Sequence, residues 1–155
     1  MAHSSRIIFA ALILCVAIGC QRERLSEKYA EASREAFAAL KLQREYVTKL
    51  KTDYSAQQLR SSAAMSKVTE LRRTTADWQL ENLLGAYSSQ IGVARAYWDK
   101  TTSENRDQQF WESFNRKLSS CEAAIFLRLD DGPGPRDSTD ERRCYAKFHV
   151  PIKLW

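Results

Sequence analysis

Proline and glycine are nearly missing from most of this chain. Between Gln21 and Asp131 there is no proline and there are only two glycines, Gly85 and Gly92, whereas Gly132, Pro133, Gly134 and Pro135 fall together. Proline removes a backbone donor and glycine loosens the backbone, so their scarcity permits long helices and their clustering ends them. A composition of 44% hydrophobic and 28% charged residues excludes a disordered or collagen-like chain. The expected fold is all-α, with helices up to about residue 129 and a loop and tail over 130–155.

Periodicity places the helices. Ala36, Leu40, Val47, Leu50, Tyr54, Ala64, Val68 and Leu71 occupy a and d positions of one heptad frame, which Gln43, Gln57 and Ser61 interrupt. The frame predicts one long first helix, and Thr74–Asp77 is its weakest boundary, open to a turn or to continuous helix. In the second segment Leu80, Leu84, Tyr87, Ile91, Ala94 and Trp98 step by four and three. Beside them Gly85, Ser89, Gly92 and Ala96 make a small-residue stripe, read as a tight crossing inside the bundle. A break follows Lys100, where Thr101-Thr102-Ser103-Glu104 fits the S/T-x-x-E capping box that opens a helix. The third helix then sets Trp111, Phe114, Leu118, Cys121 and Ile125 on one face. These segments predict a three-helix antiparallel bundle with a long first helix, over residues 20–129.

The period changes after Cys144. Ala146, Phe148, Val150, Ile152 and Leu154 alternate with Tyr145, Lys147, His149, Pro151 and Lys153, a strand rhythm, and Pro151 rules out a central strand. This extended tail either lies in a groove of the bundle or adds to a partner's sheet edge through Phe148, Val150, Ile152, Leu154 and Trp155. The preceding acids, Asp130, Asp131, Asp137, Asp140 and Glu141, read as a hydrated loop without calcium-loop spacing.

The N-terminus has its own logic. Ile7–Gly19 holds no polar residue except Cys15. As a helix this run is about 20 Å long against a hydrocarbon core of about 30 Å, too short for a comfortable span. Arg6, the apolar centre and the small residues after it form the three parts of an export signal. Ala17-Ile18-Gly19-Cys20 resembles the lipobox of bacterial lipoproteins, with Ala17 where a leucine is usual. That resemblance implies removal of residues 1–19 and diacylation of Cys20. Gln21, not Asp, follows the cysteine, which in a two-membrane bacterium implies sorting to the outer membrane with the domain facing the periplasm.

Under this reading Cys121 and Cys144 are the only remaining cysteine pair in an oxidising compartment, and one disulfide is expected. Its loop closure contributes on the order of 3 kcal/mol. A rival zinc site of Cys121, Cys144, His149 and Glu122 is disfavoured, because neither cysteine belongs to a C-x-x-C pair.

Charge says little. Removal of residues 1–19 takes Arg6 and no acid, so the net charge of +5 falls by one. Lys41, Arg44, Lys49 and Lys51 are the basic residues that could meet anionic lipid, and nucleic acid is not an expected partner of an exported chain. No G-x-S-x-G elbow, phosphate loop or H-E-x-x-H helix is present, and a single histidine, His149, follows residue 20. No enzyme, catalytic residue, metal or cofactor is therefore expected.

The resulting expectation is a lipid-anchored periplasmic adaptor or binding protein that acts by protein–protein interaction, with homo-oligomers allowed. It is similar to secretion pilotins, which are small, helical, disulfide-bearing lipoproteins, and exclusion or inhibitor roles belong to the same class. The alternative keeps the leader as an anchor and resembles the inner-membrane spanins of phages in layout.

Overall fold

A computed structural model describes residues 26–48, 54–71, 78–101, 107–131 and 138–146, and all of the regular structure among them is helical. The helices are α1 (Glu27–Thr48), α2 (Tyr54–Leu71), α3 (Trp78–Lys100), α4 (Gln108–Asp131) and the short α5 (Thr139–Tyr145). Among the described residues no helix is long and apolar enough to cross a membrane.

The expected long first helix is in fact a hairpin. Lys67 on α2 reaches back to Glu35 on α1 at 3.0 Å, and Ser61 reaches Gln43, so the two helices run antiparallel. The heptad frame conceals the reversal because it stays in register through it: Ala36, Leu40, Gln43 and Val47 on α1 and Tyr54, Gln57, Ser61, Ala64 and Val68 on α2 are all buried. One stripe becomes two facing stripes. Two of the three polar interruptions meet there: Gln43 Nε2 donates to Tyr54 Oη at 2.9 Å, and Ser61 Oγ donates to Gln43 Oε1 at 2.7 Å. Buried polar atoms need such partners, and pairing across the seam sets the register of the hairpin.

α3 ends at Lys100, where the sequence places a break, and of its expected seam Leu80, Leu84, Tyr87, Ile91 and Ala94 are buried, with Leu83 and Tyr97 beside them, while Trp98 is only partly buried. It runs parallel to α1, touching it where the rings of Phe37 and Tyr87 come within 6.2 Å, and antiparallel to α4. The small-residue stripe is not a crossing. Gly92, Ser89 and Ala96 are exposed, and a Cβ added at Gly85 or Gly92 would meet nothing within 4 Å.

The α3–α4 connection also departs from the expected capping box. Thr101 Oγ1 donates to the Tyr97 carbonyl at 2.7 Å, which closes α3 and does not open α4. The cap of α4 is Asp107, whose Oδ1 accepts from Phe110 N at 3.1 Å while its own N–H donates to Tyr97 Oη at 2.9 Å. A carboxylate there satisfies an orphan amide and suits the positive helix end. Aromatic rings fill this end of the bundle: Tyr97 and Phe110 lie 4.4 Å apart and Trp98 and Trp111 4.8 Å apart, edge on.

Residues expected in the loop form α5. Ser138 Oγ caps it by accepting from Glu141 N at 3.1 Å, with Asp140 and Glu141 in the first turn and Arg142 and Arg143 in the last. The tail beyond Ala146 lies outside the described residues, as do Cys20 and Leu50.

Candidate interaction surface

Three helices are tied at one half-buried point. Arg44 of α1 donates from Nη1 to Glu122 Oε1 of α4 at 2.6 Å and from Nη2 to Ser119 Oγ at 3.3 Å. Tyr87 of α3 donates its phenol proton to the same Glu122 oxygen. Burial, and then the hydrogen bond to and charge of Glu122, push the Tyr87 phenol well above its ordinary value. This is a lock between helices, in which every group has its partner. It removes Arg44 from the set of basic residues available to lipid, and it occupies Glu122, which the rival zinc site would need.

A second fastening holds α5 on α4. Cys121 and Cys144 are joined by a disulfide with their Cα atoms 4.7 Å apart, and both residues are fully buried. Next to it Arg128 Nη2 donates to Glu141 Oε2 at 3.4 Å, with both residues under 10% exposed. Glu141 is thus a core ion-pair member and not part of a hydrated loop. Lys117 donates to the carbonyl of Ala146, and burial lowers its ammonium pKa. Tyr145 Oη reaches the Gln79 carbonyl of α3 at 3.4 Å, so α5 also touches the start of α3.

The outer side of the α1–α2 hairpin carries an open groove of about 440 Å³. It is lined by Ala38, Ala39, Ala63 and Ala64 together with Leu42, Gln57, Arg60 and the Glu35–Lys67 pair. The alanines make part of the trough apolar, and charged side chains stand toward both of its ends, Glu35 and Lys67 at one and Arg60 nearer the other. Sequence periodicity missed it, because small residues on the outer face register as neutral.

The expected sites divide accordingly. Cys121 and Cys144 are brought together; Cys20 and the tail residues Phe148, Val150, Ile152, Leu154 and Trp155, with His149, lie outside the described residues. Among the described residues no group of three or more His, Cys, Asp or Glu side chains is placed to hold a metal ion. No protein-family model, curated protein or solved structure matches this chain.

Proposed function

We propose that this chain is a lipid-anchored helical adaptor of the bacterial envelope, held to the outer membrane by acyl chains on Cys20 and working in the periplasm by protein–protein contact. The observation that carries this reading is Ala17-Ile18-Gly19-Cys20, an apolar run ending in a lipobox-like tetrapeptide, placed six residues before the cap of the first helix at Ser26. Two acyl chains make a stable anchor where one is marginal. A bundle tethered this closely presents surface to a partner instead of diffusing to a substrate. The alanine-lined groove and the exposed Leu42 on it support a binding role, since a surface leucine on a trough is what a partner helix covers. The Cys121–Cys144 disulfide pins the root of the C-terminal tail, and the alternation of Phe148, Val150, Ile152 and Leu154 suits that tail to pair with a partner's sheet edge.

Growth with labelled palmitate tests the anchor. The wild-type chain should take up label and begin at Cys20, and Cys20→Ser should take up none. An unlabelled chain that retains residues 1–19 would overturn the proposal in favour of a retained, spanin-like anchor.

A further inference from the structure

Among the described residues six large apolar side chains are exposed, and four of them, Trp78, Phe126, Leu127 and Tyr145, stand near one end of the bundle. That end can be located from contacts. Phe37, Tyr87 and Glu122 share one level, since the Phe37 and Tyr87 rings touch and Tyr87 bonds to Glu122. From that level α1 begins ten residues back, α3 begins nine residues back and α4 ends nine residues on. At about 1.5 Å per residue all three ends lie roughly 14–15 Å away in the same direction. Trp78 opens α3 at this end, Tyr145 reaches Gln79 beside it, and Phe126 and Leu127 lie within about two turns of it on the side of α4 away from the core.

This is also the end from which the chain runs back toward Cys20. Ser26 is six residues on from Cys20, a reach of at most about 20 Å. The opposite, aromatic-filled end lies a helix length away, about 36 Å along the 24 residues of α4. A tether of that length holds only the near end at the bilayer. Charge does not favour the choice, because Glu27, Glu31, Asp130 and Asp140 outnumber Lys28, Arg142 and Arg143 there.

We infer that this end of the bundle is a lipid-contacting foot: with the anchor in place, Trp78, Tyr145, Phe126 and Leu127 dip into the headgroup region of the membrane that holds Cys20. The inference rests on the lipid anchor proposed above. Tryptophan and tyrosine suit that boundary because each has an apolar body and a polar edge. The tether supplies a high effective concentration of bilayer, so contacts too weak to bind a free protein suffice once it is anchored. The consequence is orientation, with the bundle upright and the α1–α2 groove facing sideways into the periplasm.

The test uses the full chain, purified with its lipid and reconstituted in phosphatidylcholine vesicles whose acyl chains are brominated near the headgroup. Bromine quenches tryptophan at short range, and the chain has four tryptophans, Trp78, Trp98, Trp111 and Trp155. A loss of emission should occur in the wild-type protein and in Trp155→Phe and be absent in Trp78→Phe. The mass of the N-terminal peptide, measured on the same sample, reports acylation of Cys20. An acylated protein whose quenching is absent, or survives Trp78→Phe, overturns the foot and leaves the anchor standing. An unmodified Cys20 overturns both.

Discussion

Gln43 and Ser61 are eighteen residues apart in the chain and share a hydrogen bond of 2.7 Å in the buried seam between α1 and α2. Tyr54 bonds to the other side of the same amide, so Gln43 spans the seam with both of its polar atoms in use. Gln43→Ala should therefore take the Gln43 bond from the Tyr54 hydroxyl and remove packing, while Ser61 Oγ keeps the Gln58 carbonyl at 3.0 Å, and lower stability by about 1–2 kcal/mol. Urea denaturation measures this. If the variant's midpoint equals that of the wild type, the polar layer does not stabilise the hairpin.

The Arg44–Glu122 pair is predicted to couple α1 to α4. Both side chains retain about a fifth of their exposure, 19% and 23%, so solvent weakens the pair relative to a fully buried one. A double-mutant cycle with Arg44→Gln and Glu122→Gln should give a coupling energy of about 1–2 kcal/mol. A value within error of zero would mean that Tyr87 alone engages Glu122.

Alkaline pH should unfold the protein through Tyr87. Its folded pKa lies above the unfolded value near 10, so above pH ~10 the unfolded chain releases a proton that the folded chain retains. Stability is thus fully present below about pH 10 and falls as pH rises past it. Tyr87→Phe should flatten the fall in stability measured between pH 9 and 11. Lys117 has the opposite sign: its lowered pKa makes its burial least costly at high pH, so it cannot be the source of an alkaline loss.

Reduction of the disulfide, or Cys144→Ser, should cost on the order of 3 kcal/mol, and the loss should be felt first in α5. With seven residues this helix cannot hold itself, and the Arg128–Glu141 pair would be left as its main buried tie to α4. Amide exchange in Glu141–Tyr145 should accelerate by at least tenfold while exchange in α3 stays slow. Equal acceleration in both would show that the whole bundle opens as a unit.

How far the sequence reveals this arrangement depends on whether a signal is local. The buried face of α3 was legible because Leu80, Leu84, Tyr87, Ile91 and Ala94 carry an uninterrupted rhythm that no tertiary contact overrides, whereas its start stayed open between a turn and continuous helix. The α1–α2 reversal was not, because the hairpin closes on its own stripe and so Tyr54 and Val68 continue the frame of Ala36 and Leu40. The available signal was Thr52-Asp53, residue types that favour helix starts, directly before α2. The S/T-x-x-E pattern occurs at Thr101 and again at Ser138, and only the second caps a helix. Tyr97 decides the first case, accepting the Thr101 hydroxyl at its carbonyl and the Asp107 amide at its phenol, a choice no four-residue pattern contains. The groove was illegible for a related reason: Ala38 and Ala63 mean little until their helices face each other.

The disulfide also decides how the protein carries load. Residues after Cys144 connect covalently to Cys121 without passing through the segment between them. A partner pulling on the tail against an anchor at the N-terminus would therefore stretch the chain from Cys144 across the sulfur bridge into α4. The turns from Glu122 to Arg143 lie off this line of force, so α5 and the second half of α4 stay slack while α1, α2, α3 and the first half of α4 bear the tension.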